Sequence, residues 1–382
     1  MYTTPMKTDF EIAIIGAGCI GLAIAETLSK DNNSIVIIDK NENFGEGISS
    51  RNSEVIHSGI YYEEGTLKSK LCTEGQKAIY KLGAEKKIDC KKTGKLIVAT
   101  DVKDLSRLDE LYENGITTGI EGLKLLTARE VNKIEPNVQC KAALLSRETG
   151  ILSAWSLMKH LYKSILDNDV TIAFKTKFIK GEKLSSGYRI FVTEADGTDF
   201  SFTSKIVINA TGLYSDKVAE SFAIDIEKSG YKLNFAKGSY VGYSGPSLKV
   251  KRLIYPVPSP SYLGIHSVID TGGRYRFGPD ILFMKKEKED YSIAEDFIPE
   301  FYKTIIKYFP QIKEEDLYPD FCGIRPKRSG PGEKSKDFVI NEESSINLPG
   351  LINLIGIESP GLTSCLAIGN YVKELLNFQK QD

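Results

Sequence analysis

The chain has 382 residues, enough for two lobes, and its 41% apolar and 26% charged residues allow a sizeable core. With 50 basic against 51 acidic residues it lacks the basic excess of a nucleic-acid binder, and the short run Lys285-Lys286-Glu287-Lys288 reads as a solvated helix face. Three histidines (His57, His160, His266) and six cysteines (Cys19, Cys72, Cys90, Cys140, Cys322, Cys365) without a Cys-x-x-Cys pair exclude a histidine-rich or zinc-type metal site and point to free thiols in a reducing compartment.

Ile12 to Ile15 reads as a short buried strand, followed by a glycine turn, a helix from Ile20 to Lys30 and a second buried strand from Ser34 to Asp39. Strand, turn, helix and strand make a βαβ unit of parallel sheet. Glycines interrupt the apolar stretch Ile12 to Leu28 and an acidic residue precedes it, so it is neither a secretory leader nor a membrane span. The expectation is a cytoplasmic protein, with peripheral membrane contact left open.

An irregular polar stretch runs from Asn41 to Tyr62, and helical spacing returns from Thr66 to about Leu82. Gly94 to Thr100 predicts a strand; Leu105 to Glu113 and Ser153 to Leu166 predict helices. A strand-rich region follows: Val170 to Phe174, Lys177 to Gly181, Tyr188 to Val192, Asp199 to Phe202 and Lys205 to Asn209. Period-two alternation from Lys232 to Pro279 predicts an antiparallel sheet, Tyr291 to Phe309 a helix, Gly350 to Ile355 a strand and Pro360 to Phe378 a closing helix. The fold class is therefore α/β (α+β): a Rossmann-like domain from 1–85, 141–222 and 331–382, with an antiparallel-sheet substrate domain from 86–140 and 223–330 inserted into it.

In Gly16-x-Gly18-x-x-Gly21 the first glycine permits a tight turn, the second lets backbone approach a pyrophosphate, and the third lets the helix pack on the sheet. The helix N-terminus adds unpaired N–H groups and partial positive charge. Asp39, ending the second strand, stands at the spacing of a carboxylate on ribose hydroxyls, which favours an unphosphorylated adenosine ribose as in FAD or NAD. NAD enzymes need a second, similar half; this chain continues instead into a polar loop and an antiparallel sheet, which selects FAD.

The segment from Ser49 is too polar for a plain connector, and its residues Arg51-Asn52-Ser53-Glu54-Val55-Ile56-His57-Ser58-Gly59-Ile60-Tyr61-Tyr62 resemble the corresponding segment of L-2-hydroxyglutarate dehydrogenases and oxidases. These belong to the D-amino-acid-oxidase-like FAD superfamily. Further matches follow in order at Gly94-Lys95-Leu96-Ile97, Asn209-Ala210-Thr211-Gly212, Ala236-Lys237-Gly238, Leu253-Ile254-Tyr255-Pro256, Leu263-Gly264-Ile265-His266, Arg276-Phe277-Gly278-Pro279, Gly323-Ile324-Arg325-Pro326 and Gly356-Ile357-Glu358-Ser359-Pro360-Gly361-Leu362-Thr363. They span nearly the whole chain. Ala210-Thr211-Gly212 stands where Ala-Ala-Gly is common, and 281–290 is idiosyncratic, so the substrate is less constrained than the superfamily.

The resemblance implies FAD held by Gly16, Gly18, Cys19, Ile20, Gly21, Asp39, Lys40, Ser50, Arg51, Asn52, Ser53, His57, Ala210, Gly212, Gly356, Pro360, Gly361, Leu362 and Thr363. Ser359 as N-cap with Pro360 at the first helical position would aim the N–H groups of 361–363 at the reduced flavin's negative charge. Oxidising a 2-hydroxy acid needs a base, and the resemblance puts His266 and His57 near the flavin face; His57 is also a candidate covalent tether. His160, within a helix, reads as structural. Arg325 matches the superfamily's carboxylate-binding arginine, with Arg276 or Lys237 for a second carboxylate and Tyr255 and Tyr61 as hydroxyl donors.

The expected activity is FAD-dependent oxidation of an L-2-hydroxy acid, L-2-hydroxyglutarate to 2-oxoglutarate first among them. The alternatives are an amino-acid or glycerol-3-phosphate oxidase or dehydrogenase, and a flavin-binding sensor without turnover. The electron acceptor is open between oxygen, a quinone and a carrier protein.

Overall fold

The computed structural model describes residues 7–31, 33–258, 264–285, 287–294 and 296–378. Leu263 of the 263–266 match and Lys286 of the charged run lie outside them. The chain divides into two units, one of 1–50, 154–233 and 337–382, the other of 51–153 and 234–336. Against the expected domain boundaries, 51–85, 141–153 and 331–336 belong to the second unit and 223–233 to the first. The reason is pairing: the short strand Val55–Ile56 is laddered to Gly150–Leu152, which carries both segments together.

In the first unit, parallel strands Thr171–Ala173, Ile35–Ile38, Phe10–Ile15, Asp199–Asn209 and Leu348–Ile355 lie side by side in that order. Ile35–Ile38 is buried throughout, as a strand covered on both faces must be. The helix Cys19–Ser29 packs on Gly361–Phe378 and on Ala154–Leu166. Burying Leu22, Ile24 and Leu28 there contributes roughly 1.5–3 kcal/mol each. The expected strands 199–202 and 205–209 are one strand: its first half pairs antiparallel with Tyr188–Thr193 and its second half parallel with Phe10–Ile15.

The second unit holds two larger sheets. One is antiparallel, with Asn234–Tyr243 between Leu317–Lys327 and the hairpin-side strands Tyr275–Gly278 and Leu282–Phe283. The other orders Leu253–Pro256, Lys95–Ala99, Ala142–Ser146 and Leu123–Thr127. The expectation of one antiparallel sheet over 232–279 is corrected here: Leu253–Pro256 leaves that sheet and pairs parallel with Lys95–Val98.

Two helix expectations also shift. The 291–309 helix is only Ile298–Ile305, because Pro299 fits the first turn of a helix and no position further in. The last helix begins at Gly361, and its first hydrogen bond runs from Ser364 N–H to Pro360 O, so Pro360 holds the N-cap place expected of Ser359. Among the described residues no helix is long and apolar enough to cross a membrane.

Candidate functional site

The glycine turn of the first unit is built for close approach. Gly16 has φ +109°, and a Cβ at Gly21 would lie 1.9 Å from Gly16 O, so neither position tolerates a side chain. The Asp39 carboxylate ties the turn down, accepting from Ala17 N–H at 2.7 Å and Asn41 N–H at 2.8 Å. Each of its oxygens keeps a further lone pair. Ser49 Oγ accepts the Cys19 N–H at 2.9 Å, while the exposed Lys40 ammonium lies 4.2 Å from the Tyr214 ring centroid. Ser50 Oγ donates to Gly47 O at 3.2 Å.

Neither Cys19–Ser29 nor Gly361–Phe378 carries an acidic residue in its first turn, so no charge within either helix offsets the partial positive charge of its N-terminus. Ala210 and Gly212 close the turn after strand 199–209, where Ala210 N–H donates to Ile15 O at 2.9 Å. Gly356 ends strand 348–355 at φ +69°. A glycine turn open to close approach, two helix starts without an acidic residue and a strand-end carboxylate are what a dinucleotide needs, so the residues present fit FAD.

The second unit gathers the remaining candidates. His57 follows strand Val55–Ile56; its carbonyl accepts from Gln76 Nε2 at 2.9 Å and from the Cys72 thiol at 3.4 Å, which fixes the turn. His266 opens strand His266–Ile269 and is buried; its Nδ1 lies 3.0 Å from Gly264 O. A carbonyl only accepts, so Nδ1 carries the proton and Nε2 presents a lone pair. Nε2 is buried and meets no partner among the described residues. The His266 ring stacks on Tyr255, centroids 3.8 Å apart at 16°. Burial pushes both histidines down to about 3; for His57 the charges of Lys95 and His266 add to the depression, and for His266 those of Lys95 and Arg325 do. Both rings are thus neutral.

Tyr255 and Tyr61 bury hydroxyls that meet no partner among the described residues, and burial raises both phenols above their ordinary range. Arg325 Nη2 donates to Asp280 O at 2.6 Å, and its buried Nε is unmatched. The Arg51 guanidinium stacks 4.2 Å over the Tyr291 ring, also with Nε unmatched. Ser53 and Tyr240 share a hydroxyl hydrogen bond of 2.6 Å, and Asn52 Oδ1 accepts the Glu54 N–H at 2.8 Å.

Two expected carboxylate binders are already engaged. Arg276 Nε donates to Asp320 Oδ2 at 2.6 Å, and its Nη1 lies 3.7 Å from Asp270 Oδ2. Lys237 Nζ donates to Ser292 O at 2.8 Å and lies 3.4 Å from Asp290 Oδ2. The residue that sequence reasoning passed over is Lys95. It is wholly buried, its Nζ 4.3 Å over the Tyr61 ring and 4.7 Å over the Tyr255 ring, with no hydrogen-bond acceptor among the described residues. The available signal was a charged residue opening the apolar run Lys95-Leu96-Ile97-Val98-Ala99, which had entered only as part of a matching segment.

The family model described as FAD dependent oxidoreductase (DAO) matches residues 11–375. The chain is 34% identical to the mitochondrial L-2-hydroxyglutarate dehydrogenase of Arabidopsis thaliana, over 97% of this chain and 84% of that protein. It is 32% identical to the glycerol 3-phosphate dehydrogenase of Caloramator mitchellensis, over 96% of this chain and 74% of that one. Among solved structures, the FAD-bound, dithionite-reduced L-alpha-glycerophosphate oxidase of Mycoplasma pneumoniae superposes with a TM-score of 0.87 at 26% identity, covering 97% of this chain and 95% of that one. This chain belongs to the DAO family of FAD-dependent oxidoreductases.

Proposed function

We propose that the protein oxidises an L-2-hydroxy acid, L-2-hydroxyglutarate to 2-oxoglutarate, at the buried polar cluster of its second unit. FAD, when bound, supplies at its N5 the acceptor for the hydride lost from C2. Gly16, Gly18, Cys19, Ile20 and Gly21 would hold its pyrophosphate, and Asp39 and Lys40 its adenosine end. The Ser50–Ser53 segment, His57, Ala210, Gly212, Gly356 and Pro360–Thr363 complete the set, with the last helix start stabilising negative charge.

The observation that carries the reading is His266: its proton is held on Nδ1 by Gly264 O, and its bare Nε2 is the acceptor a hydroxyl proton needs. As the C2–H bond breaks with its electron pair, the O–H proton passes to Nε2 and the carbonyl forms. The unmatched donors of Tyr61, Tyr255, Arg325 and Lys95 call for a ligand rich in acceptor oxygens, as a hydroxy acid is. Burial is the main cause of the His266 depression; a carboxylate beside Arg325 would offset one of the lesser ones and shift the ring toward greater basicity.

The test is anaerobic mixing of holoenzyme with L- and D-2-hydroxyglutarate, L-lactate, L-malate, glycerol 3-phosphate and D-alanine, read as bleaching of the oxidised-flavin band. L-2-Hydroxyglutarate is expected to bleach fastest. Glycerol 3-phosphate is the second reading, favoured by the Caloramator and Mycoplasma relatives, and fastest bleaching by it would replace the first. An amino acid can be oxidised as the free amine without a protein base, so turnover surviving loss of both His266 and His57 would overturn the hydroxy-acid mechanism. No bleaching by any compound would favour a flavin-binding protein without turnover.

A further inference from the structure

Lys95 is an anomaly by any account of stability. A fully buried ammonium without a carboxylate partner costs several kcal/mol, and such groups persist where function uses them. The groups facing it are the Cys72 thiol of helix Leu67–Ala84, the His57 imidazole, the Tyr61 and Tyr255 rings and the His266 imidazole; none is an anion at neutral pH.

Lys95 reaches the base through Tyr255, whose ring lies 4.7 Å from Lys95 Nζ and stacks on His266 at 3.8 Å, and the charges of Lys95 and Arg325 both depress His266. A hydroxy diacid carries the complementary charges, with one carboxylate on each side of its carbinol. Arg276 is bound to Asp320 and Lys237 to Asp290, whereas Lys95 meets no anion among the described residues.

We propose that Lys95 is the receptor for the distal carboxylate of the substrate and sets the preference for a dicarboxylic over a monocarboxylic 2-hydroxy acid. This rests on the hydroxy-acid reading and adds to it which acid is chosen and by which residue. The ion pair forms only in the complex, where the carboxylate replaces the anion the fold omits.

Burial lowers the Lys95 amine to about 7, which gives the pairing a proton signature. Above that pH the free protein holds the amine neutral, and an arriving carboxylate raises its pKa and draws in a proton; below it the amine is already charged and nothing is taken up.

Two measurements test this on the holoenzyme. The first compares kcat/KM for L-2-hydroxyglutarate and L-2-hydroxyvalerate, equal in chain length, in wild type, Lys95→Met and Lys95→Gln. The diacid-to-monoacid ratio, which is independent of the folded fraction, is expected to fall about 100-fold in both variants. The second needs no variant: 2-oxoglutarate and 2-oxovalerate are titrated into oxidised wild type in weak buffer with a pH indicator. The diacid is expected to take up roughly one proton more than the monoacid at pH 8 and almost none more at pH 6. An unchanged ratio, or no excess uptake at pH 8, would overturn the assignment of Lys95. Failure of wild type to be reduced by either hydroxy acid would instead overturn the hydroxy-acid reading itself.

Discussion

Two buried polar clusters, one in each unit, follow opposite rules. In the first unit Asn209 Nδ2 donates to Ser215 O at 2.7 Å and to Asn353 Oδ1 at 2.8 Å, and Asn353 Nδ2 donates to Glu343 Oε1 at 2.9 Å. Tyr231 adds a hydrogen bond to the same carboxylate oxygen at 2.8 Å, and Asn341 one to its neighbour at 2.9 Å. A carboxylate that meets no cation among the described residues is thus buried with three neutral donors on its two oxygens, which lowers the cost of burying it. In the second unit Lys95, His266, Tyr61, Tyr255 and Arg325 bury donors and a lone pair that meet no partner among the described residues. The first cluster locks strands 199–209, 339–343 and 348–355 together; the second leaves polar groups unmatched at a cost in stability, as the proposed ligand site requires.

The contrast makes graded predictions. The largest effect is expected at the glycine turn of the first unit: Gly21→Ala forces a Cβ onto Gly16 O and should cost at least about 4 kcal/mol with loss of bound flavin, read by thermal melting and by the flavin retained after gel filtration. In the second unit Arg325→Met should raise KM for L-2-hydroxyglutarate about 100- to 1000-fold with Tm nearly unchanged; a fall in Tm with KM held would make Arg325 a structural residue. Asn353→Ala, in the satisfied cluster, should lower the urea unfolding free energy by about 2–3 kcal/mol, since it strands the Asn209 amide and the Glu343 carboxylate. Tyr255→Phe, which removes an unmatched hydroxyl, should change unfolding by less than about 0.5 kcal/mol while KM rises; an equal loss in both clusters would erase the distinction.

The sequence was most legible where local chemistry decides structure. The βαβ unit, its glycine turn and the terminal Asp39 follow from short apolar runs and from positions where only glycine fits. It was least legible where pairing partners are distant. Leu317–Lys327 contains Pro319, Gly323 and Pro326 and reads poorly as a strand; it is one because it pairs on a single side, with Asn234–Tyr243, where proline's missing N–H costs no ladder bond. Leu253–Pro256 looked like part of an antiparallel run because alternation does not reveal which neighbour a strand chooses. Within the proposed site, His266, His57 and Arg325 were singled out by residue type. Lys95 was not, since a lysine beginning a strand is usually exposed; only its complete burial without an anion gives it away. The ion pairs of Arg276 and Lys237 were not legible for the converse reason, as their partners Asp320 and Asp290 lie far along the chain or in a loop.

The most direct measurement is single-turnover reduction of the holoenzyme by L-2-hydroxyglutarate under anaerobic rapid mixing, in wild type and in His266→Asn. Loss of the Nε2 acceptor is predicted to slow flavin reduction by about 100- to 10,000-fold while 2-oxoglutarate still binds. Equal rates in the two proteins would contradict the account, because the hydroxyl proton would then leave without His266.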